Sequence, residues 1–473
     1  MKTIFLSIGL IYLSFFSQAQ SIKEKLSTAV QELQADSNTK HASLSLYIIN
    51  SQTGEVVFDL NSQLGLAPAS CQKIITSVAA LDVLGAKYRY KTEFGYKGGI
   101  KDGSLLGKVI IKASGDPTLG SWRYSTTKPD TILYALGKAF NEKKIKVSAL
   151  SLAQDSSMFE TQAIPGGWIW DDIGNYYGAG AHGFNWKENQ KDVHLKSGDS
   201  IGDKVIITDS GFLTDALNEL TTGSKTSDDN AYYYHKLGGL YALDNGDPAA
   251  LRGTIPASQK NFTISIAVVN PLRDFKENVK KYFALSGENV IEAAVVSASN
   301  PAIDFAPFPF QSIYTYYSPT LDSINYWFLK RSINLYGEAL LKTMALEKTG
   351  LGSSENGIKF LKNYWQERGI DKSELHIMDG CGLSPQNRIT TDALVKALQY
   401  AKTKDWFPAF YNALPIYNGM NLKSGSIGGA RSFAGYYKSK NGTEYTLAVI
   451  INNYDGSSGE AVKKLYKVLD VLK

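Results

Sequence analysis

The two ends of this chain carry one pattern, and the middle does not. Residues 43–60 alternate apolar and polar side chains, "SLSLYIIN" then "EVVFDL", across the turn "SQTG". Period-two alternation about a polar turn predicts a β-hairpin. Near the C-terminus, "SFAGYYKSKNGTEYTLAVIIN" repeats the arrangement, with Asn441-Gly442 as its turn signal. Each hairpin is followed by apolar residues at helical spacing, from Ile74 to Leu84 after Pro68 and in the terminal "GEAVKKLYKVLDVL". Strands need partners and apolar faces need cover. The pattern therefore predicts one antiparallel sheet built from both chain ends and covered by helices.

What separates the ends has a different texture. From 91 to 304 the chain shows short strands ("ALRGTIP", "FTISIAVVN") and turn signals ("GGIKDGS", "KSGDSIGDK", "DNGDP"). From 318 to 350 the period turns helical in "TLDSINYWFLKRSINLYGEALLKTMAL", then again in "NGIKFLKNYWQERG" and in "TDALVKALQYAKT", with Thr391 as the expected N-cap. The fold class expected is α/β, more specifically α+β. It comprises a discontinuous domain of residues 20–90 and 305–473 and a large β-rich insertion of residues 91–304. A chain of 473 residues has room for two or three cores, and 43% apolar with 20% charged residues is a folded composition.

Residues 1–19 read as an export signal. Lys2 opens them, Ile4 to Phe16 is mostly apolar, and Ser17-Gln18-Ala19 is a small-x-small cleavage site before Gln20. No later apolar run approaches the ~18 residues that span a bilayer. The expected location is the periplasm, without a transmembrane anchor. Fifty basic and 45 acidic residues leave a net charge of +5, spread too thinly to argue for nucleic acid, although an anionic substrate suits it. Two cysteines, Cys71 and Cys381, make no disulfide framework; they form either one bracing disulfide or two buried thiols.

"PASCQKIIT" carries the chemistry. Ser70 and Lys73 are three residues apart where a helix should begin, so both side chains share a face. A neutral lysine amine there can take the serine proton, provided its pKa falls well below ~10.4 through burial or nearby positive charge. The pair alone says little, because Ser37–Lys40 and Ser125–Lys128 match the same spacing. Order and context raise its weight. A serine–lysine acyl-transfer site needs a second hydroxyl, an amide, and a cationic strand edge for an anionic group. "RSINLYGEALLK" supplies Ser332 and Asn334; "NLKSGSIGGARS" supplies Lys423, Ser424, Gly425 and Ser426. Ser323–Asn325 and Lys196–Gly198 are decoys for these two motifs. On one continuous helix Ser323 and Ser332 would face opposite sides.

These motifs, with "LAPASCQKIITSVAALDVLG", "ASGDPTL", "GGWIWDD…YYGA", "LRGTIP" and "DGCGLSPQNRIT", extend over nearly the whole chain. Together they resemble the penicillin-binding D-alanyl-D-alanine carboxypeptidases/endopeptidases of the low-molecular-mass class C type, peptidase family S13. The resemblance selects Ser332 over Ser323 and Lys423 over Lys196. It implies a penicillin-recognising serine transferase fold with a two-part insertion between the first two motifs, and 258 residues separate Lys73 from Ser332. Two positions depart from the family pattern: Ser424 stands where threonine is usual, and Cys381 where serine is usual.

The resemblance implies roles. Ser70 would attack the carbonyl between two D-amino acids and Lys73 would take its proton. The N–H groups of Ser70 and Ser426 would form the oxyanion hole. Ser332, with Lys423 beside it, would relay the proton to the leaving amine, while Asn334 holds the peptide. Lys423, Ser424, Gly425 and Ser426 would bind the terminal carboxylate. Asp155, in "QDSSMF", would bind the ammonium of a diaminopimelate side chain, or else cap a turn. The implied partners are peptidoglycan stem peptides and β-lactams, with no cofactor and no metal.

Rival readings are weaker. The five histidines lie in no triad context and there is no Gly-x-Ser-x-Gly elbow. Zinc chemistry lacks His-Glu-x-x-His and paired cysteines. A β-lactamase on the same fold, or a non-catalytic peptidoglycan-binding protein, remains as the alternative.

Overall fold

The computed structural model describes residues 21–145, 152–209, 216–226, 230–235, 249–285 and 308–473. The expected signal segment, the turn "DNGDP" and the expected 304/305 boundary lie outside the described residues.

Helix α1 (Ile22–Ala35) starts on a capping box in which Ser21 and Glu24 satisfy each other's backbone N–H groups. Strands β1 (Ser43–Asn50) and β2 (Val56–Leu60) form the first hairpin. A 3₁₀ turn, Ala69–Gln72, leads into α2 (Lys73–Leu84). The inserted stretch holds β3 (Lys91–Lys101), β4 (Ser104–Lys112), α3 (Pro129–Glu142), β5 (Leu152–Asp155), α4 (Trp170–Ile173), β6 (Gln190–Lys196), β7 (Ile206–Asp209), β8 (Leu217–Thr222), β9 (Tyr232–Tyr234), β10 (Ala250–Ile255), β11 (Phe262–Ala267), α5 (Pro271–Leu285) and β12 (Gln311–Tyr317). Then come α6 (Leu321–Lys330), α7 (Asn334–Thr349), α8 (Ser354–Gln366), β13 (Leu375–His376), β14 (Arg388–Ile389), α9 (Thr391–Lys402) and α10 (Phe407–Ala413). The chain closes with β15 (Ile416–Tyr417), β16 (Met420–Ile427), β17 (Ala430–Lys438), β18 (Glu444–Asn452) and α11 (Ser458–Asp470).

The two ends do share one antiparallel sheet, in the order β15-β16-β17-β18-β1-β2. The seam is β1 against β18, from Ser43↔Asn452 to Asn50↔Tyr445. Strand β18 is buried along nearly its whole length. That follows from a central strand covered on both faces, and it explains why "YTLAVIIN" reads as a continuous apolar run. On one face Leu46, Leu422, Phe433 and Val449 pack against Leu26 of α1 and Leu465 of α11. On the other, Ala434, Ala448 and Ile450 meet Ile75 of α2, Leu340 of α7 and Leu398 of α9.

Two local expectations need correction. The N-cap of α9 is Thr390, whose side chain accepts from Ala393 N; Thr391 is already helical. And α6 and α7 are not one helix. The chain breaks between them, with Ser332 in the left-handed region at φ 56°.

The insertion has two cores of its own. Phe94, Ile111, Phe184, Trp186 and Phe275 anchor one, and Val193, Leu220, Leu251 and Ile264 the other. The sheet β12-β3-β4-β5 belongs to the first, so β12, beyond residue 304, still pairs with β3.

Candidate active site

Ser70 sits on the 3₁₀ turn that precedes α2, and the turn is pinned from two sides. Ser432 Oγ on β17 donates to Pro68 O at 2.5 Å, and Gln72 Nε2 donates to Asp379 Oδ1 at 2.9 Å. Lys73 is the first residue of α2 and is completely buried. Its Nζ lies 2.9 Å from Ser70 Oγ, 2.7 Å from Asn334 Oδ1 and 2.7 Å from Cys381 O. The last two are carbonyl oxygens, which only accept. A neutral amine has two N–H bonds to give them, and its lone pair is then left facing the serine hydroxyl. Burial holds the Lys73 pKa below the usual lysine value, while Cys381, Asp379 and Glu338 act in the opposite direction.

Asn334 cannot turn its amide around, because Nδ2 donates to Tyr177 O at 2.8 Å. Ser332, two residues earlier, carries a buried Oγ with no partner among the described residues. The break between α6 and α7 turns it into the same cavity as Ser70. The decoy Ser323 instead bonds Thr320 and Asp322 at the start of α6, away from this cavity.

Lys423 lies on β16, buried beside Lys73, with Nζ donating to Ser424 O at 2.7 Å. Burial, and then the Lys73 charge, push its pKa down to about 7. Ser424 and Ser426 line the cavity. Between them Gly425 lets β16 close on the nucleophile turn: a Cβ there would stand 2.9 Å from Ser70 N and would also strike Pro68 O and Ser432 Oγ. Arg431, cross-strand from Ser426, has a buried Nε without a partner among the described residues.

The cavity has a volume of about 1000 Å³ and is lined by Ser70, Ser332, Asn334, Ser424 and Ser426 together with groups from the insertion. Asp155 is not among them; its Oδ1 accepts from Ser157 N and Oγ at the end of β5, the contact of a turn-capping aspartate. Cys71 and Cys381 are separate buried thiols; Cys71 Sγ donates to Lys423 O at 3.1 Å.

Sequence reasoning missed what the insertion brings. Asp172, Tyr176, Tyr177, Arg123 and Glu188 all line the cavity. Burial, and then Asp171, push Asp172 up to about 6. Glu188 takes a bidentate grip from Arg123, at 2.7 and 3.0 Å, and accepts from Tyr336 Oη of α7 at 2.8 Å. The paired aspartates of "GGWIWDD" were the available signal. Nothing local in the sequence marks Glu188. Asp379 was missed as well; its carboxylate accepts from Gln72, Trp168, Gly382, Ser384 and Asn387.

The sequence profile of the D-Ala-D-Ala carboxypeptidase 3 (S13) family matches residues 26–472. The chain belongs to the S13 family. Within it, the chain is 23% identical over 435 residues to the D-alanyl-D-alanine carboxypeptidase DacB of Haemophilus influenzae, covering 88% of this chain and 86% of the relative. It is 24% identical to the D-alanyl-D-alanine carboxypeptidase of Actinomadura sp. strain R39, covering 88% and 79%. The crystal structure of penicillin binding protein 4 (dacB) from H. influenzae superposes with a TM-score of 0.74 at 20% identity, over 94% of this chain and 98% of that one. The S13 fold is thus shared essentially end to end, insertion included.

Proposed function

We propose that this serine-type D-Ala-D-Ala carboxypeptidase works through an acyl-enzyme on Ser70, with Lys73 as general base. The observation that carries the reading is the buried Lys73 Nζ, 2.9 Å from Ser70 Oγ, with Asn334 Oδ1 and Cys381 O each 2.7 Å away to accept the two N–H bonds of a neutral amine. Ser70 Oγ attacks the carbonyl carbon of the penultimate D-Ala as its proton passes to Lys73. The oxyanion is met by the N–H groups of Ser70 and Ser426, a kind of donor worth about 3 kcal/mol each in such sites. The C–N bond breaks, and Ser332 Oγ hands the proton to the leaving amine. Water then attacks the acyl carbonyl, giving a proton to Lys73; the ester C–O bond breaks, Lys73 returns that proton to Ser70 Oγ, and the shortened peptide leaves as a carboxylate. Lys423, Ser424 and Ser426 hold the terminal carboxylate, and Arg431 adds a cation beside them.

The substrates on this reading are peptidoglycan stem peptides, and β-lactams acylate the same serine. Export to the periplasm through residues 1–19 belongs to the same proposal. Among the described residues no helix is long and apolar enough to cross a membrane. Asp172 suits the ammonium of a diamino acid, since a carboxyl raised by burial gains most from a cation. Asp172→Asn should raise KM for peptides bearing a free ammonium and leave neutral peptides unchanged.

The test is labelling with a fluorescent penicillin and mass mapping, with Ser70→Ala as control. A stable adduct on Ser70 supports the proposal. Rapid turnover without accumulation points to a β-lactamase. No adduct and no turnover in folded protein points to a non-catalytic peptidoglycan-binding protein.

A further inference from the structure

Behind Lys73 lies a side chain that this scheme does not use. Glu338 follows Asn334 by one turn of α7, so the two share a face. It is completely buried. Its Oε1 accepts the N–H of Gly380 at 2.9 Å, and its Oε2 has no partner among the described residues. Gly380 and Cys381 carry two carbonyls that frame α2. Gly380 O accepts Thr76 Oγ1 at 2.6 Å, and Cys381 O accepts Lys73 Nζ at 2.7 Å. The segment that aims the amine is thus braced from behind by Glu338.

Glu338, Asp379 and Cys381 place their ligand atoms within 4.8 Å of one another, a spacing a metal ion could use. Asp379 argues against that. Its two oxygens already take five N–H donors, whereas a carboxylate offers about four lone-pair sites. The question is therefore the proton on Glu338. A buried carboxylate with one oxygen unsolvated is costly, more so beside a second carboxylate.

We propose that Glu338 is a positioning residue that works as an uncharged acid, bracing Gly380–Cys381 so that the Cys381 carbonyl keeps the Lys73 lone pair on Ser70. This rests on the reading of Lys73 as base. The groups facing Glu338 are Asp379 and Cys381 from the loop after β13, Lys73 from α2, and Lys342 one turn further along α7. The Cys381 thiol, the Gly380 N–H and Lys342 favour the anion; burial and Asp379 outweigh them and push Glu338 up to about 8. Lys342 is also engaged elsewhere, 3.1 Å from Glu160. An ionised Glu338 would raise the Lys73 pKa, whereas an uncharged one leaves it where burial holds it. Because acylation needs the unprotonated amine, the charge on Glu338 sets where the acid limb of the pH profile falls, at higher pH for the anion.

The experiment measures Ser70 acylation by a fluorescent penicillin from about pH 4 to about pH 9 in wild type, Glu338→Gln and Glu338→Ala. Glutamine copies the neutral acid, so that variant should stay within about threefold of wild type at neutral pH and keep the wild-type acid limb. Alanine lacks the brace and should fall at least about tenfold throughout. Lys423 loses its proton in the same range in all three proteins, so the difference between them isolates Glu338. If Glu338→Gln falls as far as alanine, or moves the acid limb to lower pH as the loss of an anion would, the proposal is overturned. Should that variant fail to fold, infrared spectra of wild type with ¹³C-labelled glutamate decide. A protonated-carboxyl band at neutral pH that disappears near pH 8 supports the proposal, and its absence at neutral pH overturns it. Wild type that is never acylated on Ser70 would refute the base reading instead, and the infrared result would still decide Glu338.

Discussion

Asn334 is oriented by the inserted region: its Nδ2 donates to Tyr177 O at 2.8 Å, which leaves Oδ1 to accept from Lys73 at 2.7 Å. The insertion therefore shapes the proposed catalytic geometry. Arg123 and Glu188 tie the same region to Tyr336 of α7. Asn334→Asp should be worse than a lost hydrogen bond. A carboxylate would set an acceptor against the Tyr177 carbonyl and a negative charge against Lys73, raising its pKa. The expected loss of acylation at neutral pH is about 100-fold or more, easing at alkaline pH, measured by penicillin labelling across pH.

Removing the base is a separate test. Lys73→Met keeps the volume and discards the amine. It should lower the acylation rate by about 10²–10⁴-fold while leaving circular dichroism unchanged. Full activity in that variant would end the case for Lys73.

Gly425→Ala probes the approach of β16 to the nucleophile turn. The new methyl meets the Ser432 hydroxyl and also the backbone of Pro68 and Ser70, which cannot swing aside as a side chain can. We expect about 1–3 kcal/mol of destabilisation by chemical denaturation. Acylation should drop about 100-fold, because Ser70 N moves out of line with the oxyanion.

Ser332 combines a needed hydroxyl with a left-handed backbone at φ 56°. Ser332→Ala and Ser332→Gly should lose catalysis alike. Their stabilities should differ, with glycine the more stable by about 1 kcal/mol, since it adopts positive φ without steric cost. Denaturant midpoints of the two variants check this.

Lys423 makes stability depend on pH with a definite sign. Its folded pKa is about 7 against an ordinary value of 10.5. Below about pH 7 the lysine is charged in both states and its pH-dependent term is flat. Between the two values the unfolded chain binds a proton that the folded chain has released, so this term raises stability as pH climbs. The stability difference between wild type and Lys423→Met should move in favour of wild type across that window. A difference that stays constant would refute the depressed pKa.

Much of this protein is local, and the sequence by itself determined it. Period-two alternation around "SQTG" and Asn441-Gly442 fixed the two hairpins, because a strand shows one side chain to each face in turn. Ser70 and Lys73 were legible because a helix start brings residues three apart together, and the resemblance of three ordered motifs chose Ser332 and Lys423 over their decoys. What the tertiary structure decided is what crosses long sequence separations. The break at Ser332 contradicts a continuous helical period. Asp172, Tyr177 and Glu188 reach the cavity only because the insertion folds back against α7. Asp155, in the same insertion, accepts from Ser157 in its own turn. Glu338 and Cys381 lie 43 residues apart in the chain, yet both stand behind Lys73. Dense packing of separate elements makes such neighbours, and no local pattern of side chains encodes them.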